Sequence, residues 1–216
     1  MEHEGVIKFH LEFIAAPAPQ VDLALLNNWR RRLQILELLG EIPGRYAGLG
    51  FGNLSQRQPS GFLITGSQTS GVVQLPAAGY ALVTAWDLAR NHIVAQGQVK
   101  PSSESLTHAV LYGMNAEINV VFHVHSPLIW HAADVLALPM TDPKVAYGTP
   151  EMAAEVQSLM ADESLPSLFC MGGHEDGVVT LGRDCQSAGQ LLIETLNKAV
   201  ALLEAGQMTS AGLGLK

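Results

Sequence analysis

Cysteine is nearly absent from this 216-residue chain: Cys170 and Cys185 stand apart, with no Cys-x-x-Cys spacing. That argues against a disulfide framework and for two reduced thiols in a cytoplasmic protein. Positive charge is also scarce. Twelve Lys and Arg against 20 Asp and Glu leave a net charge of −8. The densest basic cluster, Arg30-Arg31-Arg32, lies inside a helical pattern, so nucleic acid is not an expected partner. No apolar run approaches a membrane span, and the opening "MEHEGVIKF" is acidic and unlike a secretory signal. No membrane association is therefore expected. Charged residues make up only 15% of the chain against 48% hydrophobic. A sizeable core is expected, with part of the surface buried between subunits. The length suits one large α/β domain.

The pattern of residues divides the chain into short elements. Ile7, Phe9, Leu11 and Phe13 alternate with polar residues and read as an edge strand, followed by the stiff linker "APAPQ". Apolar positions at helical spacing (Leu26, Trp29, Leu33, Leu36) predict a helix over 22–39, ending at Gly40. "GLGFGNLSQR" leads into a strand, "GFLITG" is another, and "YALVTAWDLARNHIVAQG" reads as a hairpin turning near Ala89-Arg90-Asn91. Helices are expected over 103–115, 127–137 and 150–161, and a last one from a cap at Asp184 through Ala205. "SLFCMGGHEDGVVTLG" gives two strands around a Gly-rich turn. The organisation expected is an N-terminal extension (1–20), one domain (21–205) and a loosely ordered tail (206–216).

The run Asn119-Val120-Val121-Phe122-His123-Val124-His125 carries the first chemical signal. It reads as a buried strand of the kind common in parallel sheets. Side chains alternate along a strand, so His123 and His125 share a face. Ser126 suits an N-cap and Pro127 a first helical position, which puts the imidazoles at the strand's carboxyl end. Two such rings can reach one metal ion, or they can be an ordinary hydrogen-bonded pair. A catalytic metal wants a third protein ligand, and His174 in "GGHEDG" is the candidate. Its turn carries glycines that permit close approach, and Glu175 and Asp176 are candidate ligands or supports.

In "KPSSESLTH", Ser102 and Ser103 lead into a helix with Glu104 in its first turn. This is ordinary capping, or an anion site in which backbone N–H groups and hydroxyls meet a phosphate and Glu104 serves as an acid/base. His108, one helical turn on, reads as a packing or supporting residue. Gly52-Asn53 and Thr65-Gly66, at strand ends, add small neutral donors suited to an anion.

Taken in order, Gly52-Asn53, Thr65-Gly66, Ser102-Ser103-Glu104, His123-x-His125 and His174 resemble the class II aldolase/adducin family, over roughly residues 25–205. The resemblance implies a single-domain three-layer α/β/α fold with a mostly antiparallel central sheet, in place of a parallel one. It implies that His123, His125 and His174 bind a divalent metal, most often Zn2+, with Mn2+, Fe2+ or Co2+ as alternatives. It makes Glu104 the catalytic acid/base. It places a substrate phosphate on Gly52, Asn53, Thr65, Gly66, Ser102 and Ser103. The activity implied is cleavage of a small phosphorylated sugar or hydroxy-carbonyl compound through a metal-stabilised enediolate. Related members are epimerases or dehydratases, and the adducin branch is non-catalytic. Members are commonly homotetramers. Three departures stand out. The stretch between His125 and "AYGTPEMA" is short and lacks the aldolases' tyrosine. The tail has no tyrosine either. Glu-Asp separates His174 from Gly177. A cupin-type centre also uses His-x-His, but Leu128, Ile129 and Trp130 stand where it needs a carboxylate.

Overall fold

The structure is a computed structural model that describes residues 6–208. Of the tail expected to be loosely ordered (206–216), residues 209–216 lie outside the described residues.

Among the described residues, eight strands form one sheet. In chain order they are β1 (His10–Ala15), β2 (Asn53–Gln58), β3 (Gly61–Thr65), β4 (Tyr80–Asp87), β5 (His92–Gly97), β6 (Val120–His125), β7 (Ser167–Cys170) and β8 (Gly177–Gly182). The spatial order is β1-β5-β4-β3-β2-β6-β8-β7. Five α-helices accompany it: α1 (Ala24–Ile35), α2 (Ser105–Met114), α3 (Pro127–Ala132), α4 (Pro150–Leu159) and α5 (Cys185–Glu204). β1 is an edge strand, as its alternation predicts, and it pairs parallel with β5. Every other pairing between these strands is antiparallel. The parallel reading of the histidine strand is therefore wrong. β6 runs antiparallel to both β2 and β8.

The helices make the outer two layers. α1, α3 and α5 bury Leu26, Trp29, Leu33, Ile129 and Leu192 against Leu54, Leu63, Phe122 and Val124. α2 and α4 bury Leu106, Ala109, Met152 and Val156 against Phe62, Ile64, Val121 and Val179 on the other face. With both faces covered, a sheet strand is apolar on both sides. All six residues of β6 are buried. Val120, Phe122 and Val124 face α1, α3 and α5, while Val121 faces α2 and α4. By alternation, His123 and His125 follow Val121 onto the α2/α4 side.

Two helices end earlier than their apolar spacing predicts. In α1 the N–H of Glu37 bonds Gln34 O and that of Leu38 bonds Leu33 O, with Glu37 at φ +56°. This is the left-handed stop usually made by glycine. Gly40 is then free to bridge Phe51. α3 closes after Ala132, and Ala137 takes φ +52° a turn later. Two caps form as predicted: Ser126 Oγ accepts Ile129 N–H at 3.2 Å and Asp184 accepts Ser187 N–H at 2.7 Å. Cys170 and Cys185 are free and buried. No described helix is long and apolar enough to cross a membrane.

Candidate active site

Four chain segments converge at the carboxyl end of β6. His123 and His125 come from the strand. His174 comes from the turn joining β7 to β8, which is closed by Met171 N–H to Gly177 O and Gly177 N–H to His174 O. The start of β2 brings Asn53 directly opposite His123 in register. The approach to α2 brings Ser102, Ser103 and Glu104.

The three imidazoles meet. One ring nitrogen from each of His123, His125 and His174 lies within 4.8 Å of the others, and all three residues are buried. His125 Nε2 and His174 Nε2 are 3.0 Å apart. Burial, followed by the proximity of His174, drives His123 and His125 well below the usual imidazole range. Neutral rings are the form that ligates metal. His123 Nε2 is buried without a partner. A buried polar atom in that state needs an explanation, and a metal ion supplies one. The donor set, the spacing and this orphaned nitrogen all fit a divalent ion.

Aromatic rings wall the cluster. Tyr147 stands edge-on to His174, with centroids 4.4 Å apart, and Lys8 Nζ lies 3.8 Å from the centre of the Tyr147 ring. Tyr46 stands edge-on to His125 at 4.6 Å. Its hydroxyl donates to Asp176 Oδ2 at 2.6 Å and accepts from Arg45 at 3.1 Å. Burial and the Asp176 contact push this phenol upward, so it stays protonated. Tyr46, Ala47 and Asp176 all take positive φ (45°, 58° and 62°). Such backbone strain in non-glycine residues persists only where the surroundings enforce it, and it gathers at functional sites.

Beside the histidines is a small polar cleft. Gly52, Asn53, Gly66, Ser102, Ser103 and Glu104 all line it, as do Gly50, Ser67, Gln68 and Ser70. Gly52 is at φ +77°, and a Cβ there would press on the His123 carbonyl oxygen and on Leu39. Thr65 sits behind the cleft. Its hydroxyl accepts Leu54 N–H at 3.2 Å and its carbonyl accepts Ser102 N–H at 3.2 Å. Glu104 is buried and occupies the N-cap of α2, one position earlier than its expected place in the first turn. Thr107 Oγ1 donates to Glu104 Oε2 at 3.4 Å. His108 is a buried packing residue on Ser55 Oγ, at 2.7 Å. Of the two acids after His174, Glu175 is exposed and stands outside the cluster, whereas Asp176 is the anchor of Tyr46.

Sequence reasoning missed Tyr46, Ser67, Gln68 and Ser70. Tyr46 gave no signal, because its place depends on a strained loop of non-glycine residues. Ser67, Gln68 and Ser70 stand directly after Thr65-Gly66 in "TGSQTSG", and extending that motif would have reached them.

The profile of the class II aldolase and adducin N-terminal domain matches residues 44–203. The chain belongs to the class II aldolase/adducin family. Among solved structures it is similar to L-fuculose-1-phosphate aldolase from Thermus thermophilus, at TM-score 0.62 and 20% identity, over 89% of this chain and 97% of that one. It is also similar to YgbL from Klebsiella pneumoniae, provisionally described as an aldolase/epimerase/decarboxylase, at TM-score 0.63 and 18% identity, over 85% and 88% of the two chains. A sugar-phosphate aldolase from Thermotoga maritima aligns at TM-score 0.59 and 16% identity, over 86% and 96%. At these identities the likeness establishes a shared fold. No curated protein matches the sequence.

Proposed function

We propose that this protein is a metal-dependent aldolase-type lyase acting on a small, phosphorylated sugar or hydroxy-carbonyl compound. The observation that carries the reading is the buried His123/His125/His174 cluster beside a polar cleft that also contains Glu104. The three histidines would hold a divalent ion, Zn2+ in the first instance. When bound, such an ion supplies a Lewis acid for a substrate oxygen. The other steps belong to the chain. Ser102, Ser103, Gly52, Asn53 and Gly66 offer hydroxyl and amide donors to a phosphate, with Thr65 fixing the frame behind them. Among the described residues, no Arg or Lys lines that cleft, so anion binding rests on neutral donors. Glu104, one oxygen steadied by Thr107, moves a proton to or from the substrate carbon. Tyr46 and Tyr147 exclude water from two sides of the histidines.

Two features favour a second reading, an epimerase or dehydratase. The chain's four tyrosines are Tyr46, Tyr80, Tyr112 and Tyr147, so the stretch between His125 and Tyr147 supplies none. YgbL, one of the similar structures, carries a description that includes epimerase chemistry. A non-catalytic role is disfavoured, because buried imidazoles and a buried carboxyl are costly to keep without a use. The family resemblance implies an oligomer, and a cytoplasmic homotetramer is the assembly proposed here.

Glu104→Gln tests the reading. The purified parent is screened against phosphorylated ketoses, aldehydes and hydroxy-ketones for cleavage, dehydration and epimerisation. The variant is expected to keep its metal and lose at least about 100-fold in turnover on whichever substrate reacts. Normal turnover would remove Glu104 from the chemistry.

A further inference from the structure

His123 poses a hydrogen-bonding problem that its neighbour solves. Asn53 Nδ2 lies 3.1 Å from His123 Nδ1, deep in the protein. With Nδ2 donating, Nδ1 accepts, and the neutral ring carries its proton on Nε2. That is the nitrogen left without a partner beside the other two histidines. A ring in this tautomer has no lone pair to offer there. The same arrangement leaves Asn53 Oδ1 buried and unpartnered. A half-turn of the planar amide, whose oxygen and nitrogen nearly superimpose, reverses this pairing. Oδ1 then accepts from His123 Nδ1–H, and Nε2 presents its lone pair to an ion. The Nδ2 donor takes the place where Oδ1 is now unsatisfied, on a residue that lines the polar cleft.

We infer that Asn53 is a positioning residue for the metal site: its side-chain oxygen fixes the tautomer of His123, and its nitrogen faces the anion cleft. The inference rests on the metal reading of the three histidines. Asn53 is held for the task, because it stands opposite His123 in the β2–β6 register and both side chains are buried. An amide is suited to both duties at once. It accepts from the ring without adding a charge and donates toward the cleft without repelling an anion.

The test compares the metal-stripped parent with Asn53→Leu and Asn53→Asp. Each is titrated with Co2+, followed by its visible absorption, and then with inorganic phosphate in the Co2+-loaded form. Leu removes the accepting oxygen, and Co2+ binding should weaken about 10- to 100-fold, the usual effect of removing a ligand's hydrogen-bond partner. Asp keeps the oxygen, so Co2+ affinity should match or exceed the parent's while phosphate binding falls. Long-range proton–nitrogen spectra of the Zn2+-loaded parent should show His123 protonated at Nδ1. Parent-like Co2+ affinity in Asn53→Leu, or equal weakness in Asn53→Asp, would overturn the inference and leave the metal reading intact. If Asn53→Leu does not fold, the Asp variant and the spectra decide. A parent that takes up no Co2+ overturns both.

Discussion

At the scale of single residues, the titrating behaviour of His108 is the clearest consequence of burial. Desolvation alone pushes it down to about 3. The unfolded chain binds this proton near the ordinary imidazole value of about 6.5, whereas the native state refuses it until about pH 3. The unfolded state therefore holds more protons across that window. Stability is fully present above about pH 6.5 and drains away as pH falls, by up to about 1.4 kcal/mol per unit for this one group. His108→Gln should flatten the dependence of the urea midpoint on pH between about 6.5 and 5, and an unchanged slope would contradict the account. Ser55 keeps its second partner, the Tyr112 hydroxyl at 2.7 Å, in the variant. The candidate ligands were legible at this scale because strand alternation puts His123 and His125 on one face. The link between Asn53 and His123 was not, since it depends on which residues stand opposite across two strands far apart in sequence. The Tyr46–Asp176 contact was not legible either, because nothing in those residue types announces a left-handed backbone.

At the scale of elements, the turn between β7 and β8 sets the third histidine. A Cβ on Gly173 would collide with the backbone carbonyl of Val145, and one on Gly172 with that of Thr141. The turn is thus wedged against the chain leading to Tyr147, whose ring stands on His174. Gly173→Ala is expected to cost about 1–3 kcal/mol by overpacking, lowering the melting temperature by about 2–4 °C per kcal/mol. It should also reduce metal binding by displacing His174. Gly113→Ala is the matched control. It is exposed near the end of α2 with only an ordinary contact to Trp86, so stability should hold or rise. A calorimetric scan and a metal assay of both variants check this pair. Elements were mostly legible, with errors at two helix ends. The apolar period of α1 continues through Leu36, and only the left-handed turn at Glu37 shows that the helix has stopped.

At the scale of the whole molecule, strand direction was the feature least available from residue patterns. β6 is apolar throughout because helices cover both faces of the sheet, and that pattern is equally what a parallel strand shows. The motif set, through the family it resembles, corrected what local periodicity could not. The same scale exposes an unfinished surface. Leu25, Ile35 and Val73 are 69%, 71% and 59% exposed, and Ile35 and Val73 line one groove with Leu39 and Ile42. Exposed apolar groups gathered in a groove fit a subunit contact. If the proposed assembly uses this face, light scattering should give a mass several times 23.1 kDa. Ile35→Glu with Val73→Glu should then reduce it. A parent that runs as a monomer would contradict the assembly.

The central claim is that three buried imidazoles form a metal centre. It is met most directly by counting metal per chain in protein purified without added metal or affinity tag, with His174→Ala prepared alongside. The account predicts close to one divalent ion per parent chain and far less in the variant. A parent that is free of metal, and stays so after incubation with Zn2+ or Mn2+, would contradict it.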